Sequence, residues 1–110
     1  MQIVNLTPHA ITFVGDGKEL VIKPSGSIAR VAAKTVDTGS ISSPEGFVIP
    51  TTATQYGEVE GLPEAKDGTI YIVSSLVASR VRERKDVFIP NESIRDDAGR
   101  IIGCRSLGHV

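Results

Sequence analysis

Residues 69–81 read TIYIVSSLVASRV, a β-branched apolar run followed by a change in hydrophobic spacing. The run at 69–73 has the composition of a central β-strand. Beyond Ser74 and Ser75, either of which could cap a helix, apolar residues recur at steps of three and four, the period of a helix. This stretch therefore predicts a buried strand that leads into the one main helix of the chain, over about residues 74–85.

Short strand-like runs separated by turn residues dominate the rest of the chain. The turn GDGK at 15–18 contains residues that tolerate positive φ and predicts a β-hairpin. The turn DDAG at 96–99 predicts a second hairpin within residues 94–107. Further strands are predicted at residues 2–6, 10–14, 19–22, 27–33 and 86–90. The expected fold class is α+β, mostly β: a small antiparallel sheet domain with one main helix.

Residues 34–66 are the part of the chain that the sequence determines least. They are rich in Thr, Ser, Gly, Pro and Glu and contain only short extended pieces. A structureless loop of that length would be unusual in a compact domain. We therefore expect an edge strand in this region, or an arm that reaches a neighbouring subunit.

The length of 110 residues indicates one domain, residues 1–110. Large side chains are few, with three Phe, two Tyr and no Trp to fill the core. Small domains bury a small fraction of their surface, and association with partner chains restores part of it. We therefore expect a homo-oligomer, either a dimer or a higher assembly such as a hexamer.

Charge and hydropathy exclude several partners. Twelve basic and thirteen acidic side chains give a net charge of −1, so no overall field attracts nucleic-acid polymers. No apolar run approaches the roughly 18 residues that a membrane span needs, and the N-terminus lacks the pattern of a signal peptide. Cys104 has no second cysteine to pair with, which suits a reducing compartment. We expect a cytoplasmic protein without a membrane partner, in which Cys104 is buried and inert.

No residue pattern matches a catalytic constellation. His9 and His109 are the only histidines, and neither lies in a motif that would supply a tuned base. Two distant histidines and one cysteine lack the spacing of metal ligands. The GDGK turn lacks the spacing of a phosphate-binding loop. We expect a protein that is not an enzyme and uses no cofactor and no metal.

The arginines are the best candidates for binding. Arg30 and Arg105 lie on predicted strands among small or apolar neighbours. A guanidinium buried there needs an anionic partner, and it binds a phosphate or carboxylate through a bidentate fork. An internal ion pair with Asp86, Glu92 or Asp96 would explain the pattern equally well.

Two other features have both a functional and a structural interpretation, and a third is expected to be structural. Asn91 follows Phe88-Ile89-Pro90 and could present its amide beside an aromatic ring, as in nucleobase recognition, or could simply be a turn residue. His9 either contacts a ligand or bonds a nearby backbone group through its imidazole. The basic residues Arg82, Arg84 and Lys85 are expected to form a solvated helix end.

Motifs along nearly the whole chain are similar to those of a widespread family of small phage and prophage proteins. They are VNLTPH at 4–9, PSG at 24–26 leading to ARV at 29–31, YIVSSLVA at 71–78, and the tail at 90–105 with RD at 95–96 and GRIIGCR at 99–105. On these motifs the chain resembles the Thoeris anti-defence sponge proteins of phages. Those proteins sequester cyclic ADP-ribose isomers, made by TIR-domain defence enzymes, without degrading them, and members are also reported to capture cyclic oligonucleotides.

The resemblance implies a ligand held by one arginine from an early strand and one from a late strand, with an aromatic ring and an asparagine near the adenine. The matching positions are Arg30 and Arg105 for the phosphates and Phe88 and Asn91 for the base. With His9, they form the expected ligand site. The alternative is a non-enzymatic phage structural or host-protein-binding module that docks by a sheet edge. A hydrolase of cyclic nucleotides ranks last, because no base, nucleophile or metal set is apparent.

Overall fold

The computed structural model describes residues 1–110 and contains eight strands and one short helix. They are β1 Gln2–Asn5, β2 Ile11–Gly15, β3 Lys18–Ile22, β4 Arg30–Ser42, β5 Val48–Glu60, β6 Thr69–Ile72, α1 Ser75–Ser79, β7 Val87–Arg95 and β8 Ile101–Gly108. Six strands form one sheet in the order β1-β6-β7-β8-β2-β3, and β4 and β5 form a separate two-stranded sheet. The predicted mostly β, α+β class is confirmed.

The six-stranded sheet is mixed. The pairs β1–β6, β6–β7 and β2–β8 are parallel, whereas β2–β3 and β7–β8 are antiparallel hairpins. Both hairpins were predicted from their turn residues. In the first turn Asp16 and Gly17 have φ of 50° and 73°, the left-handed conformation that a two-residue hairpin turn needs. In the second, the Asp96 carboxylate accepts from the backbone N–H of Ala98 and of Arg100, each at 2.9 Å.

Asn5 joins the two edges of this sheet. Its side chain is 1% exposed and lies at the end of edge strand β1. Its Nδ2 donates to the carbonyl of Ile22, on the opposite edge strand β3, at 3.1 Å and to that of His9 at 2.8 Å. Its Oδ1 accepts from the N and Oγ1 of Thr7 at 2.9 and 2.7 Å. Because β1 and β3 are the outermost strands, the sheet must curl until its edges meet.

The hydrophobic core lies beside Asn5, where the two edges of the sheet meet. Ser25 N donates to Asn5 O at 2.9 Å and Ala29 N to Leu6 O at 3.0 Å, so residues 25–29 run beside the C-terminal end of β1. Buried side chains from β6, β7, α1 and this segment pack together. The core cluster consists of Leu6, Ala29, Tyr71, Val73, Val77, Ala78 and Val87.

Helix α1 is much shorter than the predicted helix at 74–85. It follows Ser74, whose hydroxyl caps it, and ends at the cap residue Arg80. Residues 82–85 are all charged, so they provide no apolar face that packing could stabilise as a further helical turn. The expected solvated helix end is also wrong for Arg84, which is half-buried and folds back into an ion pair with Asp86.

Strands β4 and β5 form a long projecting hairpin, which we call the arm (residues 30–60). Each strand has 13 residues, a span of roughly 40 Å. The radius of gyration is 18.3 Å, against about 13 Å for a compact chain of this length. The strand predicted at 27–33 therefore starts only at Arg30 and continues to Ser42. The arm expected within residues 34–66 is present, and its contact with a neighbouring subunit stays a prediction.

The base of the arm is anchored to the core. Val31 and Val59 pack against the core cluster, and the Arg80 guanidinium lies 5.1 Å from the ring centroid of Tyr56. Gly61 has φ of 81°, and a Cβ there would lie 2.5 Å from the carbonyl oxygen of Ile28. Only glycine therefore permits this close approach at the point where the arm rejoins the domain.

Replacing Asn5 by Ala should lower the free energy of unfolding by about 3 kcal/mol, because it leaves buried backbone groups without partners. Urea unfolding followed by circular dichroism measures the change. Thr7→Val is the matched control, since it removes the hydroxyl but keeps the bond from the Thr7 backbone N–H, and it should cost about 1 kcal/mol. Equal losses of unfolding free energy in the two variants would contradict the role of Asn5 in joining the two edges of the sheet.

Candidate functional site

The largest of three described cavities opens where β2 and β8 separate. These parallel strands pair at one position, Phe13 with Cys104, and the residues that precede this pair on both strands line the cavity. The remaining walls come from the β1–β2 loop, the end of β6 and strand β7. We call this space, of about 490 Å³, the wedge cavity. Its volume lies within the range of small-molecule binding sites.

No charged side chain lines the wedge cavity. Its polar groups are hydroxyls, which belong to Thr7, Thr12, Ser74, Ser75 and Ser93. Its apolar walls include Ile89, Ile101 and Ile102. An enclosed anion needs a cation or several donors to offset its lost hydration. The cavity is therefore suited to an uncharged group that combines an apolar face with hydrogen-bonding atoms.

Cys104 forms part of the floor of the wedge cavity. It is 3% exposed, which confirms the predicted burial, and its Sγ lies 3.7 Å from the carbonyl oxygen of Thr12. Burial raises the pKa of the Cys104 thiol. Because the thiolate is the reactive form, the side chain is a poor nucleophile at neutral pH.

Arg30 lies at the base of the arm beside two smaller cavities. One, of about 270 Å³, shares Thr7 and Ser74 with the wedge cavity. The other, of about 330 Å³, is lined by Arg30 together with Glu60 and Gly61. Glu60 is the cross-strand partner of Arg30 in the arm, but no ion pair forms between them. The guanidinium is exposed, so the expected burial of this cation is wrong.

Arg105 is exposed on β8, which also contradicts the expected burial. Because side chains alternate along a strand, its side chain lies on the face opposite to that of Cys104, and Arg105 does not line the wedge cavity. The β7–β8 register places it across from Glu92, since Asn91 pairs with Ser106 and Ser93 with Cys104. No ion pair forms between Arg105 and Glu92.

The two ion pairs of the chain use other residues. Arg84 Nε lies 2.8 Å from Asp86 Oδ1, and Arg100 Nε lies 3.1 Å from Asp96 Oδ2. The internal pairs considered as an alternative explanation for Arg30 and Arg105 therefore do not exist in the folded chain. Both guanidinium groups are free to meet an external anion.

Phe88 contacts the C-terminus. Its ring centroid lies 4.4 Å from that of His109, with an angle of 34° between the ring planes. His109 Nδ1 lies 3.1 Å from the carbonyl oxygen of Val87, which holds the imidazole in place. Part of the Phe88 ring surface is therefore already covered within the chain.

Asn91 and His9 line none of the three cavities. Asn91 packs over Gly108, where a Cβ would lie 2.8 Å from its Nδ2. The His9 imidazole is exposed and makes no hydrogen bond within the chain, so the backbone contact considered for it is absent. Instead, the His9 carbonyl accepts from Asn5 at 2.8 Å. Of the five predicted ligand residues, Arg30 lines two cavities, and the other four line none of the three cavities described above.

The wedge cavity could not be predicted from the sequence, because it results from a parallel contact between Phe13 and Cys104, which lie 91 positions apart in the chain. One residue in the sequence could have indicated this contact: Gly103, a glycine inside an apolar strand. Such glycines often mark the close approach of another backbone. A Cβ at Gly103 would lie 3.1 Å from the carbonyl oxygen of Thr12, which is this approach between β8 and β2.

Neither a protein-family model, nor a curated protein, nor a solved structure matches the chain. No helix in the structure has the length and apolar character needed to cross a bilayer. No group of three or more His, Cys, Asp and Glu side chains is gathered closely enough to hold a metal ion. The function must therefore be argued from the cavities, the free guanidinium groups and the arm.

The Arg84–Asp86 pair generates a prediction about pH. Two hydrogen bonds of 2.8 Å join the guanidinium to the carboxylate, and a third, of 3.0 Å, joins Arg84 to the carbonyl of Pro63. The hydrogen bond from Arg84 lowers the pKa of Asp86, and the same contact raises the pKa of Arg84. Because the folded-state pKa of Asp86 lies below the unfolded value, its contribution is present above that value and is lost as pH falls through the folded pKa.

Asp86→Asn should therefore lower the free energy of unfolding by about 1–2 kcal/mol at pH 7. The difference from the wild type should shrink below about pH 4, where the carboxyl takes up a proton. Urea unfolding at several pH values measures it. The control is Asp67→Asn, at an exposed residue without an ion pair, which should change the free energy of unfolding little. If Asp86→Asn lowers that free energy by the same amount at every pH, the prediction is contradicted.

Proposed function

We propose that the protein is a phage anti-defence sponge, which binds cyclic nucleotide immune signals and sequesters them without cleaving them. The ligands are cyclic ADP-ribose isomers, and cyclic di- and trinucleotides are further candidates. The protein would act in the cytoplasm of the infected or lysogenic bacterial host and would need no cofactor. The observation that carries this proposal is that Arg30 and Arg105 have no carboxylate partner in the chain, while Asp86 and Asp96 are engaged by other arginines.

Free guanidinium groups are suited to a pyrophosphate. Each can form two parallel charge-assisted hydrogen bonds to phosphate oxygens. A local contact of this kind needs no overall positive field, in agreement with the net charge of −1. That charge argues against a nucleic-acid polymer as partner, because binding to a polymer depends on many phosphate contacts.

A sponge that uses both arginines requires more than one subunit. Arg30 lies at the base of the arm and Arg105 on β8, and none of the three cavities described above is lined by both. Only 12 of 110 residues are buried, so association would protect surface that the monomer leaves exposed. We therefore propose a homo-oligomer in which Arg30 of one subunit and Arg105 of another approach the same ligand.

Arg105→Ala should weaken binding of the ligand by at least about 2 kcal/mol, a factor of about 30, because a phosphate loses its bidentate partner. Arg30→Ala should have a similar effect. Native mass spectrometry against cyclic ADP-ribose isomers and cyclic di- and trinucleotides identifies the ligand, and titration calorimetry measures its affinity. Arg82→Ala removes an exposed cation that forms no ion pair and should leave the affinity unchanged.

One outcome would reject this function, and another would reject the assigned site. Heat denaturation of the complex should return the ligand chemically intact, and recovery of a cleaved product would make the protein an enzyme. Equal affinities for wild type and the two arginine variants would place the ligand elsewhere on the protein.

The arm favours a second candidate, a non-enzymatic phage structural module or a module that binds a host protein. Both long edges of the arm are unpaired, and an isolated two-stranded hairpin is at best marginally stable in water. Exposed strand edges are templates for pairing with another chain. Apolar side chains are exposed at and near the tip, namely Ile41, Phe47, Val48 and Ile49. A purified protein that retains one host protein and no nucleotide would favour this candidate over the sponge.

The double variant Ile41→Lys, Val48→Lys tests what the arm does. These side chains are 59% and 58% exposed, so charge there should dissociate a subunit or partner docked on the arm without unfolding the domain. Light scattering after size-exclusion chromatography measures the assembly. Leu20→Lys with Val21→Lys on β3, at 56% and 51% exposure, is the matched control. Loss of assembly in both variants, or in neither, would exclude the arm as the contact.

A further inference from the structure

The wedge cavity and Arg30 are neighbours. The second cavity, which Arg30 lines, shares Thr7 and Ser74 with the wedge cavity. A molecule seated in the wedge cavity with a charged group directed past these two residues would therefore enter the cavity that Arg30 lines. Arg105 shares no lining residue with this path.

The two cavities differ in the chemistry that they offer. The wedge cavity has hydroxyls that donate and accept hydrogen bonds and isoleucine side chains that can pack on the face of a flat ring, but no charge. The second cavity adds the cation of Arg30. Together they match a molecule with an uncharged, ring-containing part and an anionic end.

We infer that the wedge cavity holds the nucleoside part of a nucleotide ligand and that Arg30 binds the attached phosphate, an inference that rests on the proposed binding of nucleotides. The ribose hydroxyls meet Thr7 and Ser74, and the base lies against Ile89 and Ile102. This moves recognition of the base away from Phe88 and Asn91. Phe88 is covered in part by His109, and Asn91 packs over Gly108.

Ile102→Trp is the variant that tests the cavity. Ile102 is 56% exposed at the rim, so the larger side chain should fill the cavity mouth without entering the core. Leu20→Trp is the matched control, because Leu20 is also a half-exposed strand residue, at 56%, but lies on β3 and lines none of the three cavities. Arg30→Gln tests the phosphate contact. Circular dichroism checks that each variant is folded.

The experiment is titration calorimetry with three probes: adenosine, adenosine 5′-monophosphate and cyclic ADP-ribose. Ile102→Trp should weaken all three by at least about tenfold, and Leu20→Trp should weaken none. Arg30→Gln should weaken the two phosphate-bearing probes by at least about tenfold and leave adenosine within about twofold, because adenosine carries no charge for the guanidinium to bind.

The outcomes separate this inference from the proposed function. If wild type and Ile102→Trp bind cyclic ADP-ribose equally well, the wedge cavity is not the nucleoside site, although the sponge function stands. If Arg30→Gln weakens adenosine as much as the phosphate-bearing probes, the assigned phosphate contact is wrong. If the wild type binds none of the three probes and no other cyclic nucleotide, both the inference and the sponge function are overturned.

Discussion

The buried amide of Asn5 is the contact on which the rest of the structure depends. It is the one side chain that bonds strands at both edges of the six-stranded sheet, through its own place on β1 and the Ile22 carbonyl of β3. An amide has two donor hydrogens and an acceptor oxygen, and in Asn5 both the nitrogen and the oxygen are hydrogen-bonded. An Asp at this position would bury a charge and lose both donors. The VNLTPH motif is therefore explained by structure alone, since Thr7 and His9 complete the same network.

The hydrogen bonds of Asn5 also determine the position of the candidate ligand site. Thr7 bonds Asn5, and the Leu6 N–H donates to the carbonyl of Ile72 at 2.9 Å, so the start of the β1–β2 loop is fixed beside the end of β6. Thr7 and Ser74 lie here and line both the wedge cavity and the cavity of Arg30. Strand β2 follows this loop and pairs with β8 at one position only, Phe13 with Cys104. The two strands therefore leave a space between them, which is the wedge cavity. Rigid support of this kind lowers the ordering cost of binding. A contact that is purely structural thus positions the candidate site.

Local signals predicted the parts of the fold that depend on local chemistry. The Asp16-Gly17 turn and the Asp96 turn specify their hairpins through backbone conformation, and the strand before Ser74 was evident from its β-branched residues. The parallel pairs could not be predicted, because they join segments far apart in the chain and have no turn between them. Helix α1 ends early because packing, not spacing, stabilises a short helix. At the site, residue chemistry identified Arg30 and Arg105 as candidate anion binders but led to the wrong expectation that both are buried. Only the fold shows that they are exposed and unpaired, and that Arg30 lines two of the three cavities whereas Arg105 lines none.

The separation of Arg30 and Arg105 has a physical consequence for a sponge. Two guanidinium groups in one pocket of an empty chain would repel each other, and the empty site would be destabilised. When the two groups lie on different subunits, a phosphate ligand neutralises both and brings the subunits together. Binding and assembly then stabilise each other by mass action. An arm that is exposed over most of its length, and has two unpaired edges, is suited to such an assembly, because a second chain can extend its sheet without any change in the domain that carries the cavity.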